Sequence, residues 1–408
     1  MSSPLVMTPE GRAWVRENIL LGQSVRDYLR SLVTPWNLVG AAIVAVGLPV
    51  IIARFIWGLG ATTNLSNTNP WGIWLGFDMF FGVAIATGGF AMVVGVYILG
   101  RTEYKPMVRP AILTGFLGYA LAVFGLAVDL GRPWRLPYPL FVSMGTASVM
   151  FLVAEHLCLY ITIQFLEFLP AAVEWLRLRA VRAWLHRIHI GAVILGSVLV
   201  MGHQSALGAL FLLMPTRLHP LWYSPYLPYL FFASCVAGGI AMLVVESLVS
   251  HKVFGHKLAK TDHETIDRLT LGLGKAAMFA LFAYLGLKLL SIAHGMSWNY
   301  LLTGWGAWWA VEIVAGIVLP SVLFLLGIWR ESATLVRWGS VVTVLGLLLN
   351  RLNVAVIALN WNLPDRYVPS WMELAVSATL VVFGVWIFRW IVNRMPILNR
   401  LPEFPDHD

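Results

Sequence analysis

The stretch NLVGAAIVAVGLPVIIARFIW (37–57) contains a single charged residue, Arg54, and is long enough to cross the hydrocarbon core of a bilayer as a helix. Nine further stretches of similar length and apolarity follow it in the chain of 408 residues. The sequence therefore predicts an all-α integral membrane protein with about ten transmembrane helices. The ten predicted spans cover approximately residues 37–57, 72–100, 108–130, 140–168, 188–213, 227–250, 269–293, 305–328, 333–358 and 371–392.

The composition supports this prediction. Hydrophobic residues make up 59% of the chain and charged residues only 12%, whereas soluble domains carry about 25% charged residues. So few polar side chains cannot cover a water-facing surface, which excludes a soluble enzyme, a nucleic-acid-binding protein and a disordered scaffold. The net charge of +8 therefore does not indicate a nucleic-acid partner, and membrane lipid is the expected surrounding.

Basic residues are concentrated in alternate connections between the predicted spans. One side carries 20 Lys and Arg residues and the other side carries four. Because basic connections remain in the cytoplasm, both termini are predicted to be cytoplasmic, in a bacterial or archaeal cytoplasmic (inner) membrane. Residues 1–36 are predicted to be a cytoplasmic amphipathic segment on the membrane surface. Residues 37–395 would then form the ten-span membrane domain, and residues 396–408 a cytoplasmic tail.

The predicted outer connections are rich in Trp, Tyr, Pro and Asn, as in GRPWRLPYP (131–139) and MPTRLHPLWYSPY (214–226). Aromatic belts at the membrane interface explain part of this composition. A docking surface for an extracytoplasmic partner explains it equally well, and both interpretations remain open.

Ionisable side chains within the predicted spans are the main functional candidates, because each costs about 2.5–3.5 kcal/mol to insert. Each also has a structural alternative, such as an ion pair or a hydrogen bond that only stabilises helix packing. Glu155 is predicted to lie about 22 Å below the outer boundary, from the helical rise of 1.5 Å per residue. The candidates near the outer side are Asp78, Asp129, Lys288, His294, Glu312, Arg351 and Glu373; those nearer the middle are Glu155, His156, His203 and Gln204; Glu246 and Lys275 lie towards the cytoplasm.

An outer cluster of carboxylates among aromatic residues has the groups that quinone reduction requires. Reduction of a quinone to a quinol takes up two electrons and two protons at the carbonyl oxygens, so the site needs hydrogen-bond donors and proton-relaying carboxylates. The candidate catalytic residues are Asp78, Asp129, His156 and His203. The candidate proton path comprises Glu155, His156, His203, Glu246, Lys288 and Glu312.

The chain has only two cysteines, Cys158 and Cys235, whereas an iron–sulfur cluster usually needs about four thiolates. Electrons must therefore come from elsewhere, because the chain lacks the ligands for a cluster of its own. His156 and His203 lie at similar predicted depths, so a haem held by this pair is geometrically conceivable. A second histidine pair is not evident, no metal site is predicted, and no haem is expected.

Six longer stretches carry a family resemblance: PWGIWLGFDMFFG (70–82), YKPMVRPAILTGFLGYALAVFGLAVDLGRPWRLP (104–137), MGHQSALGAL (201–210), LHPLW (218–222), NRLNVAVIALNW (350–361) and YVPSWMEL (367–374). They resemble the NrfD/PsrC family of membrane subunits, which includes the polysulfide reductase membrane subunit. The resemblance is strongest to the branch of HybB-type hydrogenase subunits and DsrP, and it covers approximately residues 37–395.

The resemblance implies two four-helix bundles with additional peripheral helices. It also implies a haem-free subunit of a respiratory complex of the hydrogenase or sulfur-metabolism type. Such a subunit exchanges electrons between the quinone pool, menaquinone or ubiquinone, and a periplasmic ferredoxin-like [4Fe–4S] subunit, alongside further catalytic and electron-transfer subunits. On the matching stretches, the implied quinone-binding residues are Trp71, Asp78, Asp129, Arg132 and Tyr138.

Two other functions remain as alternatives. A proton-coupled secondary transporter would also use intramembrane carboxylates. The glycine pairs Gly88–Gly89 and Gly238–Gly239 could mark the helix breaks of such a protein, but small residues also serve close helix packing. A purely structural anchor for an extracytoplasmic complex would leave the buried ionisable groups without a role.

Overall fold

The computed structural model describes residues 9–254 and 263–398, and ten helices in these ranges are long and apolar enough to span a membrane. No strand occurs in the described ranges, where a single isolated bridge pairs Leu218 with Leu359. The prediction of an all-α protein with ten spans is confirmed. The helices are α1 (Pro35–Trp57), α2 (Trp74–Ile98), α3 (Thr102–Asp129), α4 (Val149–Trp175), α5 (Arg179–Leu213), α6 (Leu227–Phe254), α7 (Glu264–His294), α8 (Gly304–Trp329), α9 (Ala333–Ile357) and α10 (Trp371–Arg394).

The ten helices form two four-helix bundles and a peripheral pair. Helices α2–α5 form a ring in which each helix contacts the next and α5 contacts α2; we call this bundle 1. Helices α6–α9 form a second ring of the same kind, bundle 2. The bundles meet where α6 contacts α2 and α5 and where α9 contacts α2, while α1 packs on α10 beside α2 and α3. This is the arrangement that the family resemblance implied.

The two glycine pairs allow α2 and α6 to cross at close range. A Cβ added to Gly88 would lie 2.6 Å from the carbonyl oxygen of Gly239, so a side chain there would force the helices apart. Beside this contact, Thr87 Oγ1 donates a hydrogen bond to the Cys235 carbonyl at 2.8 Å. Helix α6 continues unbroken through its glycine pair. The glycines of α6 therefore serve close helix packing and do not produce a helix break.

Both described ends of the chain lie on one face of the molecule. At the end of α10, Arg394 Nη2 donates to the Ile19 carbonyl and to the Tyr28 hydroxyl, at 2.7 Å each. Trp14 packs against Trp175 at the end of α4, with ring centroids 5.3 Å apart. We call this side the terminal face and the opposite side the distal face.

The segment before α1 forms two short helices, Pro9–Asn18 and Val25–Ser31, where one amphipathic segment was predicted. Residues 1–8 and most of the predicted tail, 399–408, lie outside the described residues. The predicted domain boundaries stay predictions.

Helices α4 and α5 differ from their predicted bounds of 140–168 and 188–213. Residues 142–148 (VSMGTAS) form turns and irregular structure after a short helix at Tyr138–Phe141, so α4 begins only at Val149. The basic residues before position 188 lower the hydropathy without breaking the helix, because arginine is a good helix former, and α5 therefore begins at Arg179. Glu155 is consequently six residues from the distal end of α4, about 9 Å deep, which is far shallower than predicted.

Candidate functional site

A group of polar residues lies where the distal end of bundle 1 meets the peripheral helices. We call it the distal cluster: Asp78 on α2, Asp129 at the end of α3, Arg54 on α1, and Glu373 and Ser377 on α10. Asp78 is buried and accepts a hydrogen bond from Ser377 Oγ at 2.7 Å, while Asp129 is partly exposed. The charges of Asp78 and Asp129 are close enough to interact. The cluster thus brings together the two carboxylates that were predicted as catalytic.

The start of α2 is fixed in place by α10 and the connection before it. Trp74 Nε1 donates to the Glu373 carbonyl at 3.0 Å, and the Ile73 amide donates to the Tyr367 hydroxyl at 3.0 Å. A Cβ at Gly72 would lie 2.5 Å from that hydroxyl, so glycine is required for this close approach. Residues 74–81 of α2 are wound as a π-helix, a form frequent at functional sites. Asp78 lies within this π-helical segment.

The side chain of Arg54 stabilises the end of α3 by binding backbone carbonyl groups there. Its guanidinium donates to the carbonyls of Val128 and Leu130, on either side of Asp129, and is buried. Among the described residues Arg54 has no carboxylate within ion-pairing distance, so its positive charge lies near Asp129 without a direct bond. A cation at the carboxyl end of a helix is favourable because it faces the negative end of the helix dipole.

Glu373 has a structural role at the start of α10. Its carboxylate accepts hydrogen bonds from the backbone amides of Ser370, at 2.8 Å, and Asn64, at 3.1 Å, and from the Tyr367 hydroxyl. Ser370 and Glu373 form a capping box. Burial, together with the hydrogen bond to Glu373, raises the pKa of Tyr367, so this phenol remains protonated and donates to the carboxylate.

A second polar group runs through the interior of bundle 1. We call it the bundle-1 chain: His203 and Gln204 on α5, Tyr119 on α3, and Tyr160 and Gln164 on α4, all buried. The Tyr119 hydroxyl lies 3.3 Å from His203 Nδ1 and 3.3 Å from Gln204 Nε2, and its ring centroid is 4.6 Å from that of Tyr160. Gln164 Nε2 donates to the Tyr160 hydroxyl at 2.5 Å. His203 Nε2 is buried with no hydrogen-bond partner.

His156 lies next to this chain but does not form a haem site with His203. Its Nδ1 donates to the Leu152 carbonyl at 2.8 Å. Its ring is packed directly on α5, where a Cβ at Gly202 would lie 2.5 Å from two ring atoms. A porphyrin needs to fit between its two axial histidines, and this packing leaves no room for one. Glu155 and His156 are both partly exposed at the side of the bundle.

A cavity of about 500 Å³ lies at the terminal ends of the four bundle-1 helices. We call it the bundle-1 cavity. Glu167, one turn of α4 from Gln164, is among its lining residues. Arg109 and Arg182 also line the cavity, and both bind the fully buried carboxylate of Glu174, with three N–O distances of 2.8 Å. The bundle-1 chain thus lies in the middle of bundle 1, and the cavity lies between that chain and the terminal end of the bundle.

Bundle 2 contains its own buried polar group, centred on Glu312. We call it the bundle-2 network. The Glu312 carboxylate accepts hydrogen bonds from Lys288 Nζ at 2.9 Å, Trp222 Nε1 at 2.6 Å, Asn350 Nδ2 at 2.8 Å and Asn353 Nδ2 at 2.5 Å. Lys288 and Glu312 therefore form a buried ion pair with a nearly saturated carboxylate, as in the structural alternative that the sequence left open.

Above this network, on the distal side, His219 lies inside an aromatic cage. Its ring centroid is 4.7–5.6 Å from those of four aromatic residues: Trp222, Tyr300, Trp305 and Trp361. Nδ1 accepts a hydrogen bond from the Leu221 amide at 3.2 Å, and burial lowers the pKa of His219 to about 4. The imidazole is therefore neutral and packs as an aromatic ring.

The remaining predicted residues lie in different places. Trp71 packs edge-on against Phe211, with centroids 5.3 Å apart, near the distal end of bundle 1. Arg132 and Tyr138 are exposed in the connection between α3 and α4, outside the buried cluster. Glu246 lies on the terminal half of α6, far from the distal cluster. The roles predicted for these residues stay predictions.

Sequence reasoning missed most of the bundle-1 chain. Tyr119, Tyr160 and Gln164 carry no charge, and a survey of ionisable residues in apolar spans does not identify them. Glu167 was missed because it lies at the edge of the predicted span 140–168.

The described residues form ten helices that can span a membrane, and these helices enclose several groups of buried polar side chains. The chain is therefore a multi-pass integral membrane protein. The chain belongs to the polysulphide reductase NrfD family, whose model matches residues 61–361. Its family and its apolar helices place it in the bacterial inner membrane, as a membrane subunit of a redox complex.

Three relatives cover most of the chain. A Nitratidesulfovibrio vulgaris protein whose name assigns no function is 44% identical, over 92% of this chain and 98% of that protein. The probable Ni/Fe-hydrogenase 2 b-type cytochrome subunit of Escherichia coli is 28% identical, over 90% and 93%. The integral membrane subunit of menaquinone reductase from N. vulgaris is 25% identical, over 85% and 87%.

Proposed function

We propose that this subunit exchanges electrons between the membrane quinone pool and a periplasmic ferredoxin-like subunit that carries [4Fe–4S] clusters. The observation that carries the proposal is the position of Asp78 and Asp129 at the distal end of bundle 1, with His203 deeper in the same bundle. The similarity to a menaquinone reductase subunit supports a quinone as the substrate. Menaquinone and ubiquinone both fit the proposal.

The proposed chemistry needs proton donors and acceptors, which this chain supplies. Each carbonyl oxygen of the quinone gains one electron and one proton on reduction, and the reverse occurs on oxidation. Asp78 and Asp129 exchange protons near the distal face, and His203 Nε2, which has no protein partner, is available for a hydrogen bond to the substrate. His156 is proposed as the fourth catalytic residue because its partly exposed ring lies beside the bundle-1 chain.

A route from the bilayer to these groups lies along α4. Glu155 and His156 are partly exposed at about 9 Å from the distal end of that helix, where a quinone could reach them from the bilayer. Trp71 and its aromatic neighbours would form one wall of the site. Arg132 and Tyr138, in the exposed connection, would cover it from the distal side.

The proposed orientation has the distal face in the periplasm, as the distribution of basic connections predicts. Electrons then enter or leave through a partner on that face, because the chain has too few cysteines for a cluster of its own. Four exposed arginines on the distal face suit an acidic partner surface: Arg132, Arg135, Arg217 and Arg366.

Protons are proposed to travel along the bundle-1 chain between the distal site and the bundle-1 cavity. The order is His203, Tyr119, Tyr160 and Gln164, then Glu167 at the cavity wall. Glu155 and His156 would connect to its distal end. Lys288 and Glu312 would form a separate polar segment within bundle 2.

Gentle purification from native membranes, with mass spectrometry of the copurifying proteins, tests this function. The expected result is a cysteine-rich cluster-binding protein together with an exported catalytic subunit. Reproducible recovery of the chain alone across several mild detergents would contradict the proposal and favour a transporter.

A further inference from the structure

A second cavity, of about 280 Å³, lies where the two bundles meet at the terminal face. It is enclosed by the first turns of α3, the last turns of α6 and the first turns of α7. Glu103 and His251 are the titratable residues nearest its terminal side. Glu246 lies deeper on α6, about 12 Å from the end of that helix. The cavity also carries four hydroxyl groups, from Ser247, Ser250, Thr265 and Thr270.

Glu246 is a buried carboxyl group without a cationic partner among the described residues. Only 9% of the residue is exposed, and neither carboxylate oxygen meets the geometry of a hydrogen bond. The hydroxyl of Thr114 on α3 interacts with the carboxylate from outside that geometry. A buried carboxylate without a partner is strongly disfavoured, so the group needs a proton or a cation taken from the cavity.

Glu174 provides a contrast within the same chain. It is buried even more completely, and Arg109 and Arg182 saturate its carboxylate from two directions. Glu174 is therefore a permanent ion pair, whereas Glu246 faces a cavity with both oxygens free. Burial alone does not distinguish the two residues; the difference lies in their partners.

We propose that Glu246 is a proton-binding carboxyl group that exchanges with the aqueous phase at the terminal face through this cavity. This inference rests on the proposed function and adds to it a proton-binding site between the bundles, separate from the route along the bundle-1 chain. His251 Nδ1 donates to the Ser247 carbonyl at 2.8 Å, which leaves Nε2 free to accept a proton. His251 and Glu103 would thus pass protons between water and Glu246.

A proton fits this site better than a metal cation. On the elements around Glu246, the titratable residues lining the cavity are Glu103 at the start of α3 and His251 on α6, and the lining residues of α7 carry none. Glu103 lies 3.8 Å from Arg101, so its charge is partly compensated at the surface. A single deep carboxylate flanked by proton-exchanging groups is suited to proton transfer.

Labelling with dicyclohexylcarbodiimide tests this proposal on the full chain in native membranes. A carboxylic acid adds across the carbodiimide C=N bond, and the product rearranges to a stable N-acylurea that peptide mass spectrometry locates. We expect Glu246 to be labelled, with a rate that falls as the pH rises from about 6 to about 9, because only the protonated acid reacts and buried carboxyl groups without a cation keep their proton into this range. Replacing KCl by NaCl at equal ionic strength should leave the rate unchanged.

Glu174 is the internal control, and we expect it to remain unlabelled throughout this range. Absence of label at Glu246, or labelling that does not depend on pH, would overturn the proposal. Protection of Glu246 by Na⁺ would also overturn it, because it would show that the site binds sodium. Glu246→Gln should unfold at the same temperature as the wild type, and a large loss of stability would indicate a structural group. None of these readouts involves a quinone or a partner subunit, so their failure would leave the proposed quinone function standing.

Discussion

The hydroxyl of Tyr119 and Nδ1 of His203 lie 3.3 Å apart in the middle of bundle 1, while Nε2 of the same imidazole is buried without a partner. One ring nitrogen is therefore held by α3 and the other is free for a substrate or a proton. A buried polar atom without a partner is costly, and such atoms in native structures call for an explanation. The proposed hydrogen bond from His203 to a quinone would supply one.

Replacing His203 by glutamine should slow quinone-linked turnover by about a hundredfold, the lower range for the loss of a proton-transferring side chain. Glutamine preserves a hydrogen bond to Tyr119 but cannot exchange a proton. Turnover of the purified complex with a soluble quinol analogue measures the effect. His294→Gln, at an exposed position on the distal face, is the matched control and should retain normal activity. Equal rates in both variants would remove His203 from the mechanism.

Asp78→Asn and Asp129→Asn should each impair quinone-linked turnover while the complex still assembles. The amide keeps the size of each side chain, including the contact of Asp78 with Ser377, but removes the exchangeable proton. Asp365→Asn serves as the control, because this carboxylate is exposed in a distal connection. Normal turnover in both cluster variants would contradict the assignment of the distal cluster.

Lys288→Met should destabilise the protein by about 3–5 kcal/mol, because it leaves the Glu312 carboxylate buried without its cation. Adding Glu312→Gln should recover most of this loss. Thermal unfolding in detergent compares the variants. Arg337→Gln removes an ion pair with Asp267 that is partly exposed and should cost no more than about 1 kcal/mol. A Lys288→Met variant as stable as Arg337→Gln would show that the pair contributes little.

Stability should decrease as the pH falls from 6.5 towards 4, and His219 should contribute to this decrease. Its pKa is about 4 in the folded protein, against an ordinary value of 6.5. The unfolded state therefore binds more protons in this window, and the free energy of unfolding falls with the pH. Unfolding temperatures of wild type and His219→Phe measured across this window test the effect. A variant with the same pH dependence as the wild type would exclude His219 as a contributor.

Hydropathy predicted the number of helices, because each span has to be apolar over the thickness of the bilayer. It failed at the ends of α4 and α5, where helical structure and apolarity do not coincide. Residues 142–148 lie within the predicted span 140–168 but form no helix, and the basic residues after Arg179 are helical without being apolar. This shift moved Glu155 from the middle of the membrane to its distal third.

Of the residues in the candidate site, the sequence predicted mainly those with ionisable side chains. Asp78, Asp129 and His203 were identified, but Tyr119 and Gln164 were not, because uncharged polar residues are common in helix interfaces. The structural role of Glu373 could have been predicted from the sequence, because Ser370 lies three residues before it, which is the spacing of a capping box. Which helices meet depends on tertiary packing, which the sequence pattern alone does not determine.

The most direct test of the account is photoaffinity labelling of the complex in native membranes with an azidoquinone, followed by peptide mapping of this subunit. We expect labelled residues on the distal halves of α2–α5, close to Asp78, His156 and His203, and competition by excess unlabelled quinone. Competable labelling confined to bundle 2 or to the terminal-face cavities would contradict a quinone site at the distal end of bundle 1.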